Sequence, residues 1–423
     1  MTAATTQANE TVLVIESLGL GGDGVGRIDG RSVFVPAALP GERVRVQVEP
    51  GAGRASAGTL LEVLTPSPER VSPACGAFGK CGGCQLQHLS YEAQVVAKRR
   101  GLAHATSQVV DPMVSAPKPW GYRARARLHV ARGSLGFFAA QASEVVPIDE
   151  CPVLDPVVQT ALCEVASRIV PEVGREAEIL VDRGRTGRPV LFVRPASEPA
   201  RSLYEALAAY VDAGSIEGAA LQVPGVATLA RFGEPDPYTT AADGLPMRVA
   251  PGAFAQANVE VTALMAKSLV EMAAPSRHDR VLELYAGSGT FTTLLAGHVR
   301  EVVAVESDGA AAAALAENLR SRRIGNVRVT RGDATERAVN ARGEFSLVVL
   351  DPPRTGAPEE LLAAIARRRP RAIAYVSCSP GMLGRDLAKL ASLGYRTLRG
   401  IAGFDMFPQT THIEALAVLR LAG

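Results

Sequence analysis

Two side chains near the C-terminus of this sequence could act on a substrate directly. Cys378 lies in Ser377-Cys378-Ser379-Pro380, after the apolar run AIAYV. A cysteine at the carboxyl end of a strand, beside the N-terminus of the next helix, has its pKa lowered by the helix dipole and can serve as a thiolate nucleophile. The other common fate of a free cysteine is that of a small buried hydrophobe. Glu414 follows Asp405-Met-Phe-Pro-Gln-Thr-Thr-His412-Ile and starts the last apolar strand. A carboxylate there is costly unless paired or functional, which makes Glu414 a candidate general base.

A second constellation fits a nucleoside cofactor. Glu283-Leu-Tyr285-Ala-Gly287-Ser-Gly289-Thr290 stands where a strand turns into a helix. Glycines let the backbone approach a ligand closely. About 20 residues later Glu306 ends the next strand, where a carboxylate can accept both ribose hydroxyls. Asp333 ends the third strand in RGDA and is placed to accept from an adenine amino group. Helix capping is the alternative use of both acids. The third glycine of the dinucleotide fingerprint is missing, since Thr290 and Phe291 follow Gly289, which favours S-adenosylmethionine over NAD. Asp351-Pro352-Pro353-Arg354 ends the fourth strand and opens onto the same pocket.

The third group is Cys75-x5-Cys81-x2-Cys84 with a distant Cys151-Pro152. Four thiolates suffice for a [4Fe–4S] cluster or a structural zinc, and spacing does not separate the two. The sixth cysteine, Cys163, falls on an apolar helix face and reads as core.

The elements that must position these residues form three units. Residues 1–10 are small and polar and read as a disordered tail. Residues 11–66 alternate apolar and polar positions between glycine turns, giving five short strands and a small β-barrel of the oligonucleotide-binding type. Residues 67–250 mix helices and strands in an α+β central domain that carries the cysteines. From residue 251 to 423 the pattern is regular β/α alternation, an α/β doubly wound parallel sheet whose ligands bind outside the carboxyl ends of its strands.

Bulk properties bound the partners. Of 423 residues, 47% are hydrophobic and 21% charged, the balance of a globular chain and not of a disordered one. No apolar run is long enough for a bilayer and no signal pattern is present, so the expectation is a cytoplasmic monomer with no membrane partner. Net charge is only +2, but Lys98, Arg99, Arg100, Lys118, Arg123, Arg125, Arg127 and Arg132 face a single acid, Asp111. Such local excess suits RNA phosphates, with Arg123 and Arg125 as candidate contacts, or else a solvated basic face.

In this order, LELYAGSGT, LDPPRTG, YVSCSP and DMFPQTTHIEA resemble the RNA uracil-5-methyltransferase family, with GAFAQAN at 252–258 similar to the segment before its catalytic domain. The barrel resembles a TRAM domain. Ala286 stands where many members carry cysteine, and Gln409 where histidine is common. The resemblance implies a class I methyltransferase using S-adenosylmethionine. It implies Cys378 as nucleophile, Glu414 as base, and Gln256, Tyr285, Gly287, Gly289, Thr290, Glu306, Asp333 and Asp351 around the cofactor. Phe254 would stack in the RNA pocket, and Cys75, Cys81, Cys84 and Cys151 would hold [4Fe–4S]. Members with both barrel and cysteines commonly act on large-subunit ribosomal RNA, so that RNA is the expected substrate, ahead of transfer RNA. Two other readings are an amino-group methyltransferase, because of Asp351-Pro-Pro, and an iron–sulfur RNA-binding module without catalysis. Arg354 in place of an aromatic speaks against the first, and an intact Cys378–Glu414 pair against the second.

Overall fold

The computed structural model describes residues 9–49 and 55–422. Most of the expected disordered tail lies outside these residues. Its last two members, Asn9 and Glu10, already belong to the first strand, Asn9–Val14. The N-terminal sheet has six strands rather than five, because Ser17–Leu18 is a short extra one. Inward residues alternate with outward ones and put Leu13, Val33, Val35, Val44 and Val46 into one small core. The long strand Ala55–Thr65 closes the barrel, pairing antiparallel with Arg43–Val48 and parallel with Arg31–Val35.

A seven-stranded sheet forms the central domain, in the order 230–233, 218–221, 189–195, 176–183, 125–131, 134–138 and 145–147. Helices Pro156–Arg168 and Arg201–Asp212 bury their apolar faces on it through Val158, Leu162, Leu203 and Leu207. Asp155 caps the first of them by accepting from Val157 N at 2.9 Å.

The catalytic sheet runs 327–331, 301–306, 280–284, 347–350, 372–377, 414–421, 395–397, with Ala402–Phe404 also paired to Glu414–Leu421. Its first five strands are parallel, and all but the edge strand Val327–Arg331 are largely apolar and buried, as the alternation of strands and helices predicts. The last strand differs: Glu414–Leu421 lies antiparallel beside Ala372–Ser377. Chain order places Cys378 and Glu414 after the register pair Ser377–Ala415, as the next opposed positions at one sheet end.

Helix Tyr91–Thr106 belongs to this domain, not to the central unit in which its sequence position put it. Leu102 shares a core with Leu383, Leu387 and Ile401. The helix crosses Pro380–Ser392 so closely that a Cβ on Gly384 would stand 2.4 Å from the Ala105 carbonyl oxygen. The chain then runs along the sheet edge through the bridges Val110–Ile401 and Val114–Phe404.

Candidate active site

The loop after strand Arg280–Leu284 is built for close approach. Tyr285 (φ 62°) and Gly287 (φ 56°) both take the left-handed conformation, which a residue with a Cβ holds only under constraint. Gly289, at φ 103°, leaves no room for a side chain, because a Cβ would meet Leu315 Cδ1 at 2.5 Å. Glu306 fastens the loop: its Oε2 accepts from Gly287 N at 2.8 Å and its Oε1 from Asp308 N at 2.7 Å. Oε1 also accepts from Ser307 Oγ at 3.3 Å, so Oε2 is the oxygen that keeps a lone pair for a ribose hydroxyl. Asp333 is exposed and caps helix Ala334–Asn340, Oδ1 accepting from Thr335 N and Glu336 N at 2.9 Å each. The capping use is therefore realised, on one oxygen.

Beside the loop opens a narrow cleft, ≈ 50 Å³ in volume. Tyr285, Gly287, Thr290, Asp351, Gln256 and Phe254 line it. The structure thus gathers six of the expected cofactor and substrate residues at one opening. The Oε1 of Gln256 is buried without a partner. Thr239, Thr240 and Met247, from a hairpin of the preceding segment, complete the wall and carry no motif by which the sequence could announce them.

Cys378, Glu414 and Asp351 form one electrostatic unit. Glu414 is 3% exposed and its Oε2 has no hydrogen-bond partner. Burial, with Asp351 nearby, pushes its carboxyl well above the usual range. Burial lifts Asp351 to about 7. The Cys378 thiol is pushed up to about 11, first by burial and then by Glu414 and Asp351. This reverses the expectation of a thiol lowered by its helix N-terminus: desolvation and two carboxylates outweigh the dipole. Arg354, overlooked as a functional residue, is the cation that pulls both Cys378 and Glu414 back down.

Phe254 is 76% exposed at the cleft mouth, an unusual place for a bare aromatic. Arg125 is not free for a phosphate: its Nε lies 2.8 Å from Asp182 Oδ1, the pair largely buried in a second cavity that shares Gln256 and Ala255 with the first. Arg123 faces another way, lining the cysteine cavity with its guanidinium 5.9 Å from the Phe137 ring. Much of the basic run is paired off. Lys98 binds Asp405, Lys118 binds Glu260 and Arg127 binds Glu178.

Cys75, Cys81, Cys84 and Cys151 share one apolar cavity with Phe78, Phe137, Ile148 and Val153. Burial and the neighbouring thiols push Cys84 up to about 11. Among the described residues no three His, Cys, Asp or Glu side chains stand close enough to grip one metal ion. Cys163 is exposed on its helix, contrary to the core placement expected for it.

Comparison with known proteins agrees with this geometry. Residues 241–421 match the family tRNA (Uracil-5-)-methyltransferase and residues 7–61 the TRAM domain. The chain is 37% identical to the 23S rRNA (uracil(1939)-C(5))-methyltransferase RlmD of Alkalilimnicola ehrlichii, over 96% of each chain. It is 36% identical to the Pseudomonas putida protein of that name, over 96% of this chain and 93% of the other. Its fold matches the tRNA (uracil-54, C5)-methyltransferase of Pyrococcus abyssi, solved with S-adenosyl-L-homocysteine, with a TM-score of 0.77 at 24% identity over 97% of this chain and 100% of that one.

Proposed function

Because the chain belongs to the RNA uracil-5-methyltransferase family, we propose that it methylates carbon 5 of a uridine in large-subunit ribosomal RNA, with Cys378 as nucleophile and Glu414 as base. The observation that carries this reading is the placing of a thiol and an unpartnered buried carboxyl as opposed neighbours at the sheet end beside the glycine loop. The relatives named for 23S rRNA favour that RNA over transfer RNA.

Carbon 5 of uracil is a poor nucleophile. Addition of the Cys378 sulfur to carbon 6 moves an electron pair onto carbon 5, and the thiol proton must leave first. Bound between Gln256, Tyr285, Thr290, Glu306 and Asp351, S-adenosylmethionine supplies an electrophilic methyl group. Glu414 then removes the carbon-5 proton. The pair left behind expels Cys378 and restores the ring double bond. Phe254 offers a stacking face for an extruded base.

The cysteine cavity fits an iron–sulfur cluster. Four cysteine sulfurs line a shared, apolar-walled space, the number of ligands such a cluster takes. We assign the cysteines to [4Fe–4S]. Bound there, it ties the 75–84 loop to the Cys151 turn and takes no part in methyl transfer. Anaerobic protein should then hold about four iron atoms per chain, whereas stoichiometric zinc without visible absorbance would overturn the assignment.

The reaction itself is tested with 5-fluorouridine-containing ribosomal RNA fragments, because fluorine blocks proton removal. Wild type should form a denaturation-resistant adduct that Cys378→Ala does not. Absence of any adduct would exclude covalent catalysis, and efficient methylation of transfer RNA transcripts alone would overturn the ribosomal assignment.

A further inference from the structure

From Asp405 to Ile413 the chain is irregular yet largely buried, and it delivers Glu414 to the sheet end. Such a segment needs partners for its backbone groups, and groups far away in sequence supply them. Asn258 Nδ2 donates to Met406 O at 3.3 Å, Lys98 Nζ to Phe407 O at 2.9 Å and Tyr122 OH to Pro408 O at 3.0 Å. The Gln409 carbonyl accepts from the backbone N–H groups of Gln85 at 3.0 Å and Leu86 at 2.9 Å, immediately after the cysteine-rich loop. Lys98 also closes the start of the segment on Asp405 at 2.5 Å.

Gln409 is the pivot. It is 2% exposed and sits at φ 69°, a conformation that a glutamine keeps only when its surroundings over-determine it. Gln94, on helix Tyr91–Thr106 and 1% exposed, supplies that constraint. Its Oε1 accepts from Gln409 N at 2.9 Å. Its Nε2 donates to Gln409 Oε1 at 2.9 Å, Leu89 O at 2.8 Å and Leu86 O at 3.1 Å. One amide therefore joins the helix, the loop after the cysteines and the segment that leads to Glu414.

We propose that Gln94 is a positioning residue for Glu414, holding Gln409 in its left-handed conformation and so fixing the loop that brings the base to the target. The proposal rests on the reading of Glu414 as the base. Without Gln94, the Gln409 N–H and the carbonyls of Leu86 and Leu89 lose their side-chain partner in a buried place, and the loop relaxes at its one strained residue. Cys378 and the glycine loop keep their own anchors in the parallel sheet. The step that suffers is proton removal, not cofactor binding and not addition of sulfur to the base.

The test compares Gln94→Ala, Gln409→Gly and Glu414→Gln with wild type on a large-subunit ribosomal RNA transcript. It reads turnover, S-adenosylmethionine affinity and the fraction of methylated RNA in a denaturation-resistant adduct. Gln94→Ala should lose about ten-fold or more in turnover, the scale of one buried hydrogen bond. It should hold adduct as Glu414→Gln does and bind cofactor as wild type does. Gln409→Gly, where glycine takes the positive φ freely, guards against a folding failure and should also accumulate adduct. Unchanged turnover in both variants would overturn the proposal, and so would turnover and cofactor affinity falling together without adduct. Should Glu414→Gln trap adduct while the other two do not, the proposal alone fails. Normal product release by Glu414→Gln removes the base reading and the proposal with it.

Discussion

The resting protonation of Cys378 gives a prediction with a number attached. At about 11, against an ordinary thiol value of 9.0, about one molecule in 10⁴ holds the thiolate at pH 7, where an unperturbed thiol would show about one in 10². Haloacetamides react with the thiolate, so alkylation of Cys378 in the free protein should be roughly 100-fold slower at pH 7 than for an accessible ordinary thiol. It should climb about ten-fold per pH unit, with no plateau before pH 10. Asp351→Asn removes one of the two carboxylates that oppose ionisation and should speed alkylation at pH 8. The gain should shrink below pH 6, where Asp351, at about 7, is already protonated. Mass spectrometry of the Cys378 peptide after timed labelling measures this, with exposed Cys163 showing that reagent is present throughout. A plateau below pH 9 in the free wild-type protein would refute the reasoning, because it would mean that the helix N-terminus prevails over burial and the two acids.

Two further expectations follow from buried and bare side chains. Glu283 is 1% exposed, both its oxygens lack partners, and burial pushes it up to about 8 from 4.5. A raised folded-state pKa gives stability that is full below 4.5 and is lost as pH rises toward 8, about 3 kcal/mol by pH 7 at 1.36 kcal/mol per pH unit. Glu283→Gln should therefore gain on wild type in urea melts between pH 5 and 8, and an equal difference at both pH values would disprove the linkage. Phe254→Ala should weaken RNA binding by roughly 5- to 150-fold, the ~1–3 kcal/mol of a base–aromatic stack, with a much smaller change in cofactor affinity by calorimetry; equal losses for both ligands would place Phe254 with the cofactor.

What the sequence made legible is what chain order alone decides. In a doubly wound sheet the carboxyl ends of successive strands share one edge, so Tyr285, Glu306, Asp351 and Cys378 could be placed together from strand order. Residues 91–114 were harder. Their helix pattern is clear, but nothing local says that Leu102 will pack against Leu383 and not on the central sheet. The basic run misled for a related reason. Its partners Glu178, Asp182, Glu260 and Asp405 stand far away in sequence, so a local count sees cations and misses the acids that neutralise them. The sign of the Cys378 shift failed likewise: the helix dipole is a neighbour in sequence, whereas burial and Glu414 arrive only with the fold.

That cluster also explains why Arg354 follows the two prolines. The reaction needs Cys378 and Glu414 ionised in turn, while burial keeps both protonated and each acid hinders its neighbours. Arg354 alone among the groups acting on both lowers them. Its removal should not abolish the chemistry but move it: methylation by Arg354→Gln should fall steeply at pH 7 and recover as pH rises, because hydroxide supplies the driving force that the guanidinium gave. Each 1.36 kcal/mol of lost stabilisation costs about ten-fold at a fixed pH below the limb and shifts that limb about one pH unit upward. Arg354→Lys keeps the charge and should hold the wild-type profile more closely. An arginine that only gripped RNA phosphate would behave otherwise. Its loss would raise KM alike from pH 6 to 10 and flatten the salt dependence of binding, and that pattern would take Arg354 out of the proton balance altogether.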